Sequence, residues 1–539
     1  MDIKKASYLA VQNVLKEGLT DIFDHPFELS LLKNKLFQKK IAENVSKCIN
    51  GNSLESLEIM PIDHVLLPKG GPFDFRRCAL MHPLDTIKYL ALALVFADQL
   101  ETIRPNKSRK IVFSYRFKPQ KGYIFDQKYN ITSFKKYVSE KIKQKGVKAL
   151  VVCDIANFYD RLNLHRLESI LLSHGFEKAK VKQLNELLLF WANRDSYSLP
   201  VGSNASRIFA EASLLEVDNY LLSIGVKFSR FVDDYRLFAP NVHTAHYWLT
   251  QLIERLWLEG LTINQRKTEI KDVSDKATSK SITAKPATDT EQSKTQKSIK
   301  ETSGPEPQFR LMAGYGGIIP TRFRTPSAKE IEKLKDSDPQ GLFEDIKKKK
   351  LIEPEEITAF TKSIIGSKKF TLFAYLPELA DLFPQFTPYI VDVLIKYREN
   401  IPVSDKTNIQ ELFSQRLSKS VYLPEYITIA IVRLLGCQDF QNKTVLLDFF
   451  RELKRNAGAY IGRSVLTSLE DLVSRSEIIE IRRYFSRADS WEKRQIVKII
   501  NKHLSEDEKR PFLKNIKSQE SSDMFLVEYL NPTKLKKKK

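Results

Sequence analysis

The sequence predicts an α+β fold, a sheet covered by helices on one face, followed by an all-α half. Three observations predict it. Residues 147–270 alternate strand-like and helix-like patterns. From about residue 325 to 530 the pattern is amphipathic helix throughout, with short polar connections. Between them, residues 271–308 have no aromatic residue and few large apolar ones, and Lys, Ser, Thr and Ala dominate, as in a linker or disordered insertion.

Taken in order, residues 1–60 read as helices with polar breaks, and MDIKKASYLAVQNVLKEG is an amphipathic helix rather than a signal peptide. Residues 61–146 mix short strands, Gly/Pro turns and one strong helix, PLDTIKYLALALVFADQLE. In 147–270, KALVVCD is a short apolar run fit for a buried strand. RLNLHRLESILLSHG is a helix that stops at Gly175. VKQLNELLLFWAN, SRIFAEASLLEVDNYLLSIG and AHYWLTQLIERLWLEG each read as one helix. Within 309–530, FTLFAYLPELADLF, TPYIVDVLIKYREN, EYITIAIVRLLG, KTVLLDFFRELKRN and RSVLTSLEDLVSRS are helical. Their rhythm, at roughly 40-residue intervals, fits HEAT-like helical repeats, with an irregular bundle as the alternative. Residues 531–539 form a basic tail.

The chain has 539 residues, enough for about three or four domains. Its net charge of +21 favours polyanionic partners, nucleic acid first. No apolar run reaches the ~18 residues of a membrane span, so no membrane role is expected. Cys48, Cys78, Cys153 and Cys437 have no CxxC spacing and read as reduced core residues of a cytoplasmic protein.

The chemistry concentrates in FSRFVDDYRLFA, residues 228–239. Its aromatic and branched flanks favour two strands, with Asp233 and Asp234 at a tight turn. Burying carboxylates there costs several kcal/mol unless they are paired or bound to metal. No His or Cys cluster lies nearby, which argues against zinc. An oxygen-only donor set suits magnesium. A third carboxylate is expected at Asp154, ending the KALVVCD strand. In SLPVGSNASRIFAEA, Pro200 and Gly202 make a turn before a helix entrance at Ser206 and Arg207, with Glu211 one turn later, where a nucleotide can approach closely. Lys267, in LTINQRKT, is a cation suited to triphosphate oxygens.

In this order and spacing the segments resemble the palm motifs of reverse transcriptases. CDIANFYD is similar to motif A, LPVGSNASR to motif B, FVDD to motif C and LTINQRKT to motif D. The resemblance implies a fingers-palm fold with Asp154, Asp233 and Asp234 as catalytic and metal-holding residues. Two Mg²⁺ ions, with Mn²⁺ as a substitute, would drive two-metal nucleotidyl transfer. It also implies that Tyr159 gates the sugar, selecting dNTPs, with Phe158 in the core. Upstream, LLPKGGPFDFRRCALMHP resembles the fingers of group II intron-like enzymes. That maps Lys69 and Arg77 onto the incoming triphosphate, with Arg76 competing and Arg116 on the same basic surface.

The wording of these motifs, with the helical C-terminal half, is most similar to bacterial defence-associated reverse transcriptases of the abortive-infection (AbiK-like) kind. That kinship implies template-independent, protein-primed DNA synthesis in antiphage defence by a homo-oligomer. The single-stranded DNA product would be attached through one of 20 tyrosines. Two departures from the usual pattern matter. Val201 stands where motif B commonly has Gln, and no motif E or compact thumb follows Lys267. The alternatives are a conventional RNA-templated enzyme working with a partner noncoding RNA, and an inactive palm serving as a nucleic-acid scaffold.

Overall fold

The computed structural model describes residues 1–539 except 21–24, 70–73, 194, 275–322, 324, 420–422, 454–457, 459 and 534–539. Most of the expected linker 271–308 and of the basic tail lies outside the described residues. Eight strands run among those described: β1 (Asp63–Pro68), β2 (Phe75–Leu80), β3 (Phe117–Gln120), β4 (Tyr123–Phe125), β5 (Ala149–Asp154), β6 (Phe228–Phe231), β7 (Asp234–Ala239) and β8 (Glu269–Asp272). The chain divides into two compact units. One holds Met1–Ile62, Ala79–Gly314 and Thr533–Lys539; the other holds Asp63–Cys78 and Tyr315–Pro532.

The first unit is built on a four-stranded antiparallel sheet in the order β6-β7-β5-β8. The KALVVCD run is β5, central and buried, and the hairpin read from FSRFVDDYRLFA is β6–β7. Helix Val242–Leu258 packs on β5, β7 and β8 through one apolar face that includes Ala245, Leu252 and Leu256. Asn241 starts it, its side chain accepting the Thr244 N–H at 2.7 Å. Helix Pro83–Ile103 carries no amphipathic stripe, because it is surrounded: it packs on helices Ile3–Glu17, Lys35–Asn50 and Asn204–Ser213. Residues 111–114 run beside β6, with Val112 bridged in parallel to Arg230.

SRIFAEASLLEVDNYLLSIG reads as one helix but folds as two, Asn204–Ser213 and Leu215–Ser223. The break is a tight turn in which the Leu214 N–H bonds back to Glu211 O. Gly175 adopts φ +73°, ending helix Leu164–Ser173 where the sequence placed the stop.

The second unit is helical apart from the β1–β2 pair. That pair lies on helix Glu425–Leu435, with Phe75 against Tyr426 at 6.1 Å between ring centroids. FTLFAYLPELADLF is not one helix. A 3₁₀ turn, Phe370–Tyr375, precedes helix Leu376–Leu382, because Pro377 suits a first helical turn but not a helix interior. Helices Thr387–Lys396, Glu425–Leu435, Ile461–Leu469 and Ser490–His503 pack in series, each on the next, around one continuous apolar core. Cys48, Cys78 and Cys153 are buried free thiols, and Cys437 is half-buried.

Candidate active site

Register brings the carboxylates together. In the β5–β7 ladder Asp154 stands opposite Asp234, and the Ile155 N–H donates to Asp233 O at 3.1 Å. Asp233 and Val232 form the two-residue link between β6 and β7. Asp154 is held from the other side by the motif D segment: Asn264 donates its backbone N–H to Asp154 O at 2.7 Å. Two side chains then reach Asp154 Oδ2, Asn264 Nδ2 at 3.4 Å and Lys267 Nζ at 3.4 Å. The expected carboxylates and lysine therefore meet at one end of the sheet.

The electrostatics are those of crowded anions. Burial, then the neighbouring Asp154, pushes the Asp233 carboxyl up to about 7. Burial also raises Asp234, opposed by Arg236. Asp234 and Arg236 sit two apart on β7 and so share a face; Arg236 Nη2 donates to Asp234 Oδ2 at 3.0 Å and Nη1 to Oδ1. Asp234, expected among the metal ligands, is thus engaged by its own strand's arginine, while Asp233 keeps the charge of Asp154 as a near neighbour.

No group of three or more His, Cys, Asp or Glu side chains among the described residues is arranged to hold a metal ion alone. The donor set still fits magnesium. That ion usually takes one or two carboxylates and completes its shell with water and substrate phosphates. An acid raised to about 7 by a neighbouring carboxylate is also a place where a bound cation would relieve repulsion.

Tyr159 lies in the short helix Phe158–Arg161, entered through Asn157 at φ +47°. Its ring meets that of buried Phe158 edge-on at 5.5 Å, and its carbonyl accepts the Leu199 N–H at 3.0 Å. This ties the motif A helix to the motif B loop. Gly202 in that loop has φ +116°, open to glycine alone at low cost. Ser203 then caps helix Asn204–Ser213 by accepting the Ser206 N–H.

Two arginines read from sequence as nucleotide-facing or surface charges are core residues instead. Arg207 is 1% exposed, with Nη1 on Asn204 Oδ1 at 2.7 Å and its guanidinium over the Tyr115 ring. Arg116 is 1% exposed and pairs with Glu101 at 2.8 Å. Their residue type suggested surface, but buried carboxylate, amide and ring partners take the charge inside. Lys69 and Arg77 belong to the second unit. There Lys69 pairs with Asp74 at 3.1 Å, and Arg77 Nη2 lies 3.2 Å from His64 Nδ1. Burial, then Arg77, holds the His64 imidazole down at about 4.

Sequence reading missed the buried polar cluster behind the hairpin: Arg104, Ser114, Glu211, Asp218 and Arg230. Arg230 is fully buried, bonded to Asp218 through Nε and Nη2 and to Glu211 through Nη1 at 2.8 Å. The one available signal was an arginine inside an otherwise apolar strand.

Residues 81–300 match the family described as reverse transcriptase (RNA-dependent DNA polymerase). This stretch, which holds the whole carboxylate cluster, is a reverse-transcriptase domain, an RNA-directed DNA polymerase by family. No curated protein matches the chain. Solved structures similar to it include telomerase from Candida albicans in complex with a TWJ fragment of telomeric RNA, at 12% identity and TM-score 0.26, covering 80% of this chain and 70% of that one. Apo telomerase from Candida tropicalis gives 12% identity and TM-score 0.30, covering 81% and 69%. The Candida tropicalis telomerase with a TWJ fragment gives 13% and 0.30, covering 78% and 63%.

Proposed function

We propose that this chain builds DNA by two-metal nucleotidyl transfer, with Asp154 and Asp233 holding two Mg²⁺ ions and Asp234 supporting them. The observation that carries the reading is the β5–β7 register, which sets Asp154 opposite Asp234 and beside the Asp233 turn, with Lys267 Nζ 3.4 Å from Asp154. When bound, the ions would lower the pKa of the attacking hydroxyl and neutralise the departing pyrophosphate. The hydroxyl oxygen bonds to the α-phosphorus of a dNTP as the bond to pyrophosphate breaks, and the hydroxyl proton passes to solvent. Lys267, 63% exposed, can swing from Asp154 to a phosphate oxygen and stabilise the leaving group. Tyr159 gates the sugar beneath the motif A turn, and Gly202 lets the backbone approach the nucleotide. Arg207 acts from the core, holding the start of the motif B helix through Asn204.

The finer reading is a defence enzyme of the abortive-infection kind: cytoplasmic, homo-oligomeric, template-independent and primed by a tyrosine phenol in place of a 3′-hydroxyl. Its support is the wording of the motifs and Val201 at the motif B position where a template-contacting Gln commonly stands. The serial helix packing of the second unit supports the HEAT-like reading of its helices. A conventional RNA-templated enzyme is the second reading, favoured by the description of the matched family.

The test uses the purified full chain with Mg²⁺ and labelled dNTPs, without template or primer, run on a gel before and after proteinase. Protein-bound label released as long DNA supports protein priming. Incorporation only after RNA and a primer are added contradicts it and supports the templated reading. No incorporation under either condition contradicts the polymerase reading itself.

A further inference from the structure

Val232 is a β-branched residue at φ +58°. That conformation is natural for glycine and costly for valine. It persists only where the surroundings over-determine it, and here both of its peptide groups are gripped from behind. Its N–H donates to Ser114 Oγ at 2.8 Å. Its carbonyl accepts from Arg230 Nη1 at 3.1 Å. The same Nη1 pairs with Glu211 at 2.8 Å, and Ser114 Oγ donates to the other oxygen of that carboxylate. Ser114, Glu211 and Arg230 are 0%, 2% and 0% exposed, so water does not compete for these bonds. Arg104 Nη2 and Asp218 hold the two ends of the cluster. Ser114 is carried there by the segment beside β6: the Arg230 N–H donates to Ile111 O, and the Phe113 N–H to Arg230 O.

We infer that Ser114, Glu211 and Arg230 form a clamp that holds the Val232 turn in its strained form and thereby aims Asp233 at Asp154. They are positioning residues; none reaches the carboxylate cluster. Resting on the nucleotidyl-transfer reading, the inference assigns to the 111–114 segment a part in catalysis that no palm motif supplies.

The test is a double-mutant cycle between Ser114→Ala and Val232→Gly in the full chain, with Ser114→Thr as the conservative variant. Loss of the hydroxyl acceptor should lower kcat about tenfold, the effect of one buried hydrogen bond, with KM for dNTP little changed. Ser114→Thr should retain the rate. Glycine adopts the turn without strain, so the same Ser114→Ala change should cost about threefold or less in the Val232→Gly background. Hydrogen exchange of peptides spanning 231–234, read by mass spectrometry, supplies a readout besides activity. The Val232 amide should exchange about tenfold faster in Ser114→Ala than in the unaltered chain. An equal loss of rate in both backgrounds, or unchanged exchange in Ser114→Ala, overturns the clamp. Absence of incorporation by the unaltered chain overturns the polymerase reading instead, and exchange then decides the clamp alone.

Discussion

Glu492 makes the second unit's stability depend on pH near neutrality. Its carboxylate is 8% exposed and accepts hydrogen bonds from the Tyr484 hydroxyl and the Asp489 N–H. Burial, then nearby Asp489, raises its pKa from the ordinary 4.5 to about 7. Between those two values the folded state holds a proton that the unfolded state has released. Stability therefore falls as pH rises from 4.5 to 7, and the deficit is fully present above 7. At 1.36 kcal/mol per pH unit the deficit is about 3 kcal/mol. Glu492→Gln keeps an acceptor for both donors and removes the charge. The variant should be more stable than the parent by about 2–3 kcal/mol at pH 8 and equal to it at pH 4.5. The assay is pulsed hydrogen exchange on peptides from Arg475–His503 as urea is raised, at both pH values. A variant whose advantage is the same at pH 8 and pH 4.5, or that is weaker at pH 8, would refute the reasoning.

Three further outcomes follow from the first unit. Asp218→Asn leaves Arg230 with one carboxylate in place of two, and should destabilise the unit by about 3–5 kcal/mol in the same exchange assay on peptides from the β6–β7 hairpin. Lys267→Met, at an exposed position, should leave stability unchanged and lower kcat about 100-fold, measured by single-turnover dNTP addition. Tyr159→Ala should admit rNTPs, raising their kcat/KM relative to dNTPs by at least about tenfold in a competition assay.

The carboxylate cluster was legible because its cause is local. A short apolar strand ending in Asp154 and a hairpin interrupted by Asp233 can pair in few ways, and antiparallel pairing puts their acids at one end. Lys267 was legible for the same reason, since a short turn ties it to the strand beside Asp154. The fates of Arg116, Arg207 and Arg230 were not. An arginine is buried only when partners from distant segments meet it, as Glu101 meets Arg116 and Asp218 meets Arg230. The engagement of Asp234 by Arg236 stood in the alternation of DYR, but only the strand assignment makes those two side chains neighbours. The grouping of Asp63–Cys78 with the C-terminal helices had no local signal, because the contact of Phe75 with Tyr426 spans most of the chain.

Metal-dependent nucleotidyl transfer by this chain rests, on the reading proposed above, on Asp154 and Asp233. Its most direct test is Mg²⁺-dependent incorporation of labelled dNTPs by the full chain, by Asp233→Asn and by Asp154→Asn, each with and without a primed RNA template. The unaltered chain should incorporate label, an activity abolished by chelating the metal and reduced at least about 1,000-fold in either variant. Incorporation that survives in either variant would contradict that reading.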